Sequence, residues 1–449
     1  MRKLFGTDGV RGEANKYPMV PEVALALGQA IARYFRNKKT TQRIVIGKDT
    51  RRSSYMLEQA IAAGVCSMGR DAVLTGPLST PGVAFLTRAM RADAGIMISA
   101  SHNAYHDNGI KFFDHEGYKL SDEIERAIED LIEQGFNDDQ RPTGDQIGKA
   151  FRIDDATGRY VEFVKRTFPK DVTLDGINVV LDCANGAAYK QGPMALWELG
   201  AHVTSWGIKP NGVNINSECG ALYPEKMQKM VLKHQADIGI ALDGDADRVV
   251  ISDEKGRLVN GDQIIALCAV NYLNKGCLAN RTIVGTIMTN MGVERYLDHK
   301  GIKLVRTRVG DRYIIERMRQ DGTELGGEPS GHIIFHNHNT TGDGIIAALQ
   351  VLSILKETRK PLSALVSEIS LYPQVSTTLN VKEKRPIEDI PAIQTAIKVL
   401  NNNLKGNGRA VVRYSGTEPV LRMMIEGEDQ HLITSELEKL LGVAQENLA

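Results

Sequence analysis

Residues 94–111 read Ala-Gly-Ile-Met-Ile-Ser-Ala-Ser-His-Asn-Ala-Tyr-His-Asp-Asn-Gly-Ile-Lys. The apolar run Gly95 to Ile98 predicts a buried strand, broken off by a small polar loop, Ser99 to Asn103. At the carboxyl end of a strand in an open α/β sheet, such a loop is where ligands collect. Ser101 is therefore a candidate nucleophile or phosphate carrier. His102, His106 and Lys111 stand close enough to move protons or hold anions. Ser and Asn are also ordinary turn and cap residues, so this loop alone does not decide a function.

Outward from this stretch the pattern alternates. Helical spacing runs over Val20 to Phe35 and Ser53 to Met68, with short apolar strands at Arg43 to Gly47 and Ala72 to Thr75. Strands alternating with helices imply parallel βαβ units. A second unit begins near Phe151, with strands at Asn178 to Asp182, His202 to Trp206 and Ala236 to Leu242. A third holds strands Thr282 to Ile287 and Lys303 to Val309 among helices, and the rhythm changes again around Leu371 to Gln374. The remaining C-terminal segment reads as a small α+β unit closed by a helix over Leu432 to Gln445. Ala92-Asp93-Ala94-Gly95-Ile96 recurs as Ala236-Asp237-Ile238-Gly239-Ile240, a register that sets Ser101 against Asp245. Duplicated units, each delivering one loop to a shared cleft, would explain it.

At 449 residues the chain is too long for one core. Its 55 basic and 55 acidic residues balance without a basic stripe, which argues against nucleic acid and anionic membranes as partners. No stretch has the ~18 apolar residues of a membrane span, and the amino terminus lacks a signal-peptide core. Five scattered cysteines without metal-type spacing fit a reducing cytoplasm.

Three further loops carry chemistry. Asp243-Gly244-Asp245-Ala246-Asp247-Arg248 closes an apolar strand with alternating carboxylates that repel one another unless a cation joins them. All-oxygen ligands favour a hard ion, which points to one Mg²⁺ per chain. An EF-hand would place Glu254 at its twelfth position, but Arg248 stands where its turn glycine belongs and the flanks are strands. Gly326-Gly327-Glu328-Pro329-Ser330-Gly331-His332 offers acceptors and donors suited to sugar hydroxyls in Glu328, Ser330 and His332. Arg413-Tyr414-Ser415-Gly416-Thr417-Glu418-Pro419, with Arg422 beyond, is a phosphate cradle of cation, hydroxyls and glycine. The segments Gly6-Thr7-Asp8-Gly9-Val10-Arg11-Gly12 and Gly47-Lys48-Asp49-Thr50-Arg51 add loop cations. His336 and His338 are too loosely spaced, and too lacking in carboxylate company, to argue a metal, and the pair Met423-Met424 reads as strand packing.

Taken together and in this order, the four loops and the opening Phe-Gly-Thr-Asp-Gly-Val-Arg-Gly resemble the α-D-phosphohexomutase superfamily. The stretches Pro210 to Asn216 and Thr341 to Gly344 are similar to those of its bacterial branch acting on glucosamine phosphates. One departure stands in the serine loop, where Ala104 replaces the proline that usually follows Ser-His-Asn and leaves loop rigidity in question.

The resemblance implies three related α/β domains with mixed/parallel sheets and a smaller C-terminal α+β domain around a central cleft. The expected spans are 1–150 with the serine loop, 151–255 with the metal loop, 256–370 with the sugar loop and 371–449 with the phosphate loop. It also implies interconversion of glucosamine 6-phosphate and glucosamine 1-phosphate through a bisphosphate intermediate, feeding UDP-N-acetylglucosamine synthesis. Ser101 would be the phosphoserine, and Asp243, Asp245 and Asp247 would hold Mg²⁺ with a phosphoseryl oxygen. Glu328, Ser330 and His332 would grip the sugar, with Arg413, Ser415, Gly416, Thr417 and Arg422 on the non-reacting phosphate. Lys111, His102, Arg11 and His332 remain open as acid/base or charge stabiliser. The C-terminal domain would close over substrate. A homodimer is compatible with the sequence, which says nothing further on assembly. Other readings are a mutase for glucose or mannose phosphates, a metal-dependent sugar phosphatase, and a non-catalytic sugar-phosphate sensor.

Overall fold

The computed structural model describes residues 4–6, 8–36, 41–415 and 419–448. Three mixed sheets and one antiparallel sheet succeed one another along the chain. The first runs in the order Val10–Glu13, Asp107–Asp114, Ala94–Ile98, Arg43–Lys48, Asp71–Pro77, Ala150–Arg152. The second runs Leu258–Val259, Val249–Ser252, Ile238–Leu242, Asn178–Asp182, His202–Trp206. The third runs Ile333–Phe335, Leu325–Gly327, Thr282–Thr286, Lys303–Thr307.

Side by side, the three sheets share a four-strand unit. Three strands are parallel, and the third of these turns back into an antiparallel hairpin partner. The antiparallel edge makes each α/β sheet mixed, as the expectation of mixed/parallel sheets allowed. The returning strands were missed because they are short or begin in polar loop residues, as Asp107–Asp114 does. The duplicated pentapeptide marks the same strand in the first two sheets. Its third copy is Thr323-Glu324-Leu325-Gly326-Gly327, which keeps the acidic residue and the glycine. That glycine has a packing cause. A β-carbon on Gly95, Gly239 or Gly326 would fall 2.2 Å from Thr87 Oγ1, 2.1 Å from Met227 Sδ or 2.8 Å from Met318 Sδ, each on the helix covering the strand.

Helix Gly344–Thr358 is apolar on all sides and buried from Gly344 to Leu355, as such a helix must be. It packs on strands Ile238–Leu242 and Val249–Ser252 of the second sheet, and on strand Ile333–Phe335 and helix Gly261–Asn274 of the third unit. One continuous apolar core therefore runs from Val45 and Val73 through Leu181 and Ile240 to Ile283 and Leu352. The C-terminal sheet, Gln374–Asn380, Val420–Gly427, Gly408–Tyr414, keeps a core of its own with helices Pro391–Asn403 and Gln430–Leu448.

Candidate active site

The serine, aspartate and sugar loops leave their sheets at the same place, between the last parallel strand and its antiparallel return. The three sheets aim them at one another. Ser101 is buried with a left-handed backbone (φ 52°), and its Oγ donates to Asp243 Oδ2 at 2.6 Å. Its amide donates to Ser99 Oγ at 2.9 Å.

The loop around it is clamped from beneath. Arg51, fully buried, donates to the carbonyls of Ser101 (3.0 Å), Asn103 (2.8 Å) and Asp107 (3.1 Å), and also to that of Ala104. Asp49 holds this guanidinium at 2.8 Å and accepts the Ser99 hydroxyl at 2.7 Å. Asn216 donates to the carbonyls of Ser101 and Asn103, both at 2.9 Å. Rigidity lost with proline at position 104 is thus supplied by hydrogen bonds to the Ala104 carbonyl and its neighbours. Lys48 and Arg51, read as loop cations, are corrected here. Both are buried, Lys48 against Glu58 and Arg51 against the loop, so neither reaches ligand.

Asp243, Asp245 and Asp247 are buried, and one oxygen from each lies within 4.8 Å of the others. Asp245 Oδ1 and Asp247 Oδ1 find no hydrogen-bond donor among the described residues. Buried carboxylate oxygens are rarely left so, and this donor set fits a hard divalent cation. Burial, then the charges of Asp247 and Asp245, push the Asp243 carboxyl well above its ordinary range. Burial would raise Asp247 too, but Lys111, His332 and Arg248 hold it well below. Thr80 Oγ1 donates to Asp245 at 2.5 Å, a contact the sequence did not suggest.

The four acid/base candidates separate by position. Lys111 is buried, with Nζ 2.8 Å from Asp245, 3.3 Å from Asp247 and 3.5 Å from Asp8. These carboxylates outweigh burial and hold it protonated. His102 Nδ1 lies 3.3 Å from Ser101 Oγ and 3.2 Å from Arg248. Burial, then Arg248 and Arg11, push its pKa down to about 4, so the ring is neutral at neutral pH. Arg11 pairs with Asp8. His332 is buried, with Nδ1 3.7 Å from Asp247 and Nε2 3.4 Å from Asp311. Lys119 joins Asp311 (2.5 Å) to Asp8. Acidic and basic groups thus alternate around a ring, Lys111, Asp8, Lys119, Asp311, His332, Asp247, drawn from all three α/β units, in which His332 Nε2 also accepts the Gly342 amide at 3.2 Å. Asp8, Asp49 and Asn216 were read only as parts of motifs, and Lys119 and Asp311 had no motif to announce them as site residues.

This ring borders a cavity of about 430 Å³ lined by Asp8, Arg11, Arg248, Asp311, Glu328 and His332, among others, a size suited to a small ligand. Glu328 Oε1 accepts the Gly310 amide at 3.0 Å, while Ser330 is exposed. Arg413 and Arg422 face each other across the C-terminal sheet and line one pocket with Ser376 and Thr378. Glu328 lies within electrostatic reach of Arg413, so the C-terminal unit faces the sugar loop. Ser415 is buried beside them, and Gly416 and Thr417 lie outside the described residues. His336 bonds Tyr118 Oη at 2.8 Å, and Met423 packs in the C-terminal core, as the strand reading of the methionine pair expects.

Comparison with known proteins fits this geometry. The four domain families of phosphoglucomutase/phosphomannomutase match residues 2–139, 158–256, 260–372 and 378–442 in turn. A phosphoglucosamine mutase of Geotalea daltonii is 53% identical over 448 residues, covering 100% of this chain and 99% of the relative. The chain belongs to this family, in its phosphoglucosamine mutase branch. Among solved members of the phosphohexomutases, a Burkholderia thailandensis phosphoglucomutase/phosphomannomutase family protein superimposes with a TM-score of 0.82 at 22% identity, over 99% of this chain and 98% of that one. An Aspergillus fumigatus N-acetylphosphoglucosamine mutase, solved with GlcNAc-6P and magnesium, superimposes at 0.68 and 18% identity, over 99% and 96% of the chains. No helix among the described residues is long and apolar enough to cross a membrane.

Proposed function

We propose that this phosphohexomutase interconverts glucosamine 6-phosphate and glucosamine 1-phosphate through a phosphorylated Ser101 and a hexosamine bisphosphate. The observation that carries the mechanism is the Ser101 Oγ–Asp243 Oδ2 contact of 2.6 Å, which joins the phosphate carrier to the metal-binding carboxylates. Asp243, Asp245 and Asp247 would hold Mg²⁺, which when bound neutralises charge on the phosphoryl group.

The residues of the chain divide the remaining work. A sugar hydroxyl attacks the phosphorus, the bond to Ser101 Oγ breaks as the new P–O bond forms, the hydroxyl proton leaves to a base, and Ser101 Oγ takes up a proton as it departs. After the bisphosphate turns over in the cleft, its other phosphate returns to Ser101 by the reverse exchange. Lys111, Arg11 and Arg248 stabilise charge around the serine, where phosphoryl transfer depends mainly on positioning and electrostatics. His332 is the imidazole that lines the cavity and so the one placed to exchange protons with the sugar. Glu328 and Ser330 hold sugar hydroxyls. Arg413, Ser415, Gly416, Thr417 and Arg422 hold the phosphate that does not react, and closure of the C-terminal unit excludes water.

On this reading the spans 1–150, 151–255, 256–370 and 371–449 are the four domains, and the partners are phosphosugars and their bisphosphate. The location is the cytoplasm, where the free cysteines are at home. A coupled assay with glucosamine 6-phosphate, Mg²⁺ and a trace of sugar bisphosphate tests the proposal, run beside glucose and mannose phosphates. Preferred isomerisation of the glucosamine compound supports it. Preference for the others moves the chain to another branch, and free phosphate without isomerisation overturns the mutase mechanism.

A further inference from the structure

The cavity that reaches Asp247 is lined by carboxylates as well as by the cations Arg11, Lys119 and Arg248. Four carboxylates line it, those of Asp8, Asp247, Asp311 and Glu328. Asp247 belongs to the metal group, and Asp8 is occupied by Arg11, Lys111 and Lys119. Glu328 stands in the loop assigned to sugar hydroxyls. Asp311 is left without a role in the transfer.

Its two oxygens differ. Oδ2 takes the Lys119 ammonium at 2.5 Å and lies 3.4 Å from His332 Nε2. Among the described residues Oδ1 accepts only the adjacent Arg312 amide, at 2.8 Å, and a carboxylate oxygen has room for a second donor. Against burial, Lys119 and His332 keep this carboxyl ionised. Position matters equally. Gly310, the residue before it, donates its amide to Glu328 Oε1 at 3.0 Å, so the loop bearing Asp311 is fastened to the loop that would hold the sugar ring.

We infer that Asp311 recognises the 2-ammonium group of the hexosamine and sets the preference for an amino sugar phosphate over its 2-hydroxy counterpart. The inference rests on the mutase reading above and names the group that discriminates within it. A hydroxyl and an ammonium can both donate to the ionised Asp311, but only the ammonium adds the attraction between opposite full charges. Selection therefore comes from charge rather than shape, since the two sugars are nearly isosteric.

The test compares Asp311→Asn and Asp311→Glu with the unaltered enzyme, measuring kcat/KM for glucosamine 1-phosphate and glucose 1-phosphate. Asn keeps an oxygen for the Arg312 amide and removes the charge. The glucosamine-to-glucose ratio is expected to fall at least tenfold in Asp311→Asn, chiefly through KM, and to recover in part in Asp311→Glu. Parallel losses on both substrates, with the ratio unchanged, would overturn the inference and leave Asp311 as a support for Lys119 and His332. A second readout needs no variant. In the unaltered enzyme the preference should shrink as pH rises through the amine's own titration, and a preference constant across it overturns the inference. An unaltered enzyme without any glucosamine preference would overturn the substrate assignment itself, and with it this inference.

Discussion

Helix Gly344–Thr358 and the Glu426 carboxylate do the same work in opposite media. The helix joins the second and third α/β units through apolar packing on every side, within a core that also reaches the first. Glu426 joins the C-terminal unit to the third through polar contacts. Fully buried, it accepts the Met291 amide (3.2 Å) and the Gln374 side chain (2.6 Å) and pairs with Arg409 at 2.5 Å. Around it, Asn290 exchanges two hydrogen bonds with the Tyr372 backbone, and Arg409 donates to the Thr289 carbonyl. An apolar core repacks only at a cost, because close-packed interiors have few alternative arrangements. A polar seam can exchange partners with water and re-form. The comparison assigns chemistry to the welded part, where Ser101 and the aspartates must keep their distances. On the proposed mechanism, closure would fall to the part with its own core and a hydrogen-bonded seam.

The welded part should fail outright when its chemistry is touched. Ser101→Ala is expected to lower turnover at least about a thousandfold, as removal of other covalent nucleophiles does, with an unchanged melting profile. Substantial mutase activity in that variant would sink the phosphoserine assignment. Arg51→Ala should come next. Deleting a buried, paired guanidinium costs roughly 3–5 kcal/mol and frees several loop carbonyls, so denaturant unfolding should shift by that amount and activity fall with it. A variant of wild-type stability would show that the serine loop does not need its clamp.

The movable part should respond by degree. Arg413→Ala is expected to raise KM about 10- to 100-fold, the worth of a charge-assisted bond, with a smaller change in kcat. It should also abolish any substrate-induced compaction seen by solution scattering. A pure kcat effect would place Arg413 in the chemical step instead and break the division drawn here.

The smallest effect concerns the seam and pH. Asp262 accepts the Asn290 amide at 2.8 Å, and Glu426, Arg306 and Arg409 are the charged groups around it. Burial is the main cause that lifts its pKa from 3.8 to about 7. A carboxyl whose folded pKa is raised binds more protons folded than unfolded, so its contribution falls as pH climbs from about 4 to about 7 and is flat above. Asp262→Asn keeps an acceptor for the Asn290 amide and should remove that slope, raising thermal stability at pH 8 but little at pH 4. Equal gains at both would mean that Asp262 is not titrating in this window.

Much of the fold and the site was legible in the sequence, for physical reasons. Amphipathic helices such as Asp122–Gln134 and Met291–His299 and apolar central strands such as Asn178–Asp182 keep to their periodicities to the residue. The short strands of the third sheet do not, because the last parallel strand, Leu325–Gly327, spends two of its three positions on glycine and its return, Ile333–Phe335, is only three residues long. At the site, Ser101 and the three aspartates were visible because small and acidic residues ending an apolar strand need a reason. Arg51 and Lys119 were not, since a buried cation looks like an exposed one until its partners are known. The glycine shared by Gly95, Gly239 and Gly326 was the signal that would have exposed a third copy of the repeat.

The ring of alternating charges has a consequence for how the protein comes into being. Lys111, Asp8 and Lys119 arrive with the first unit, Asp247 with the second, Asp311 and His332 with the third. A ribosome-bound or clipped chain that lacks any one unit leaves the ring open. The reactive serine therefore gains its working surroundings only at the last docking step. An unfinished molecule carries the nucleophile but not the means to use it, and activity doubles as a certificate of completed assembly.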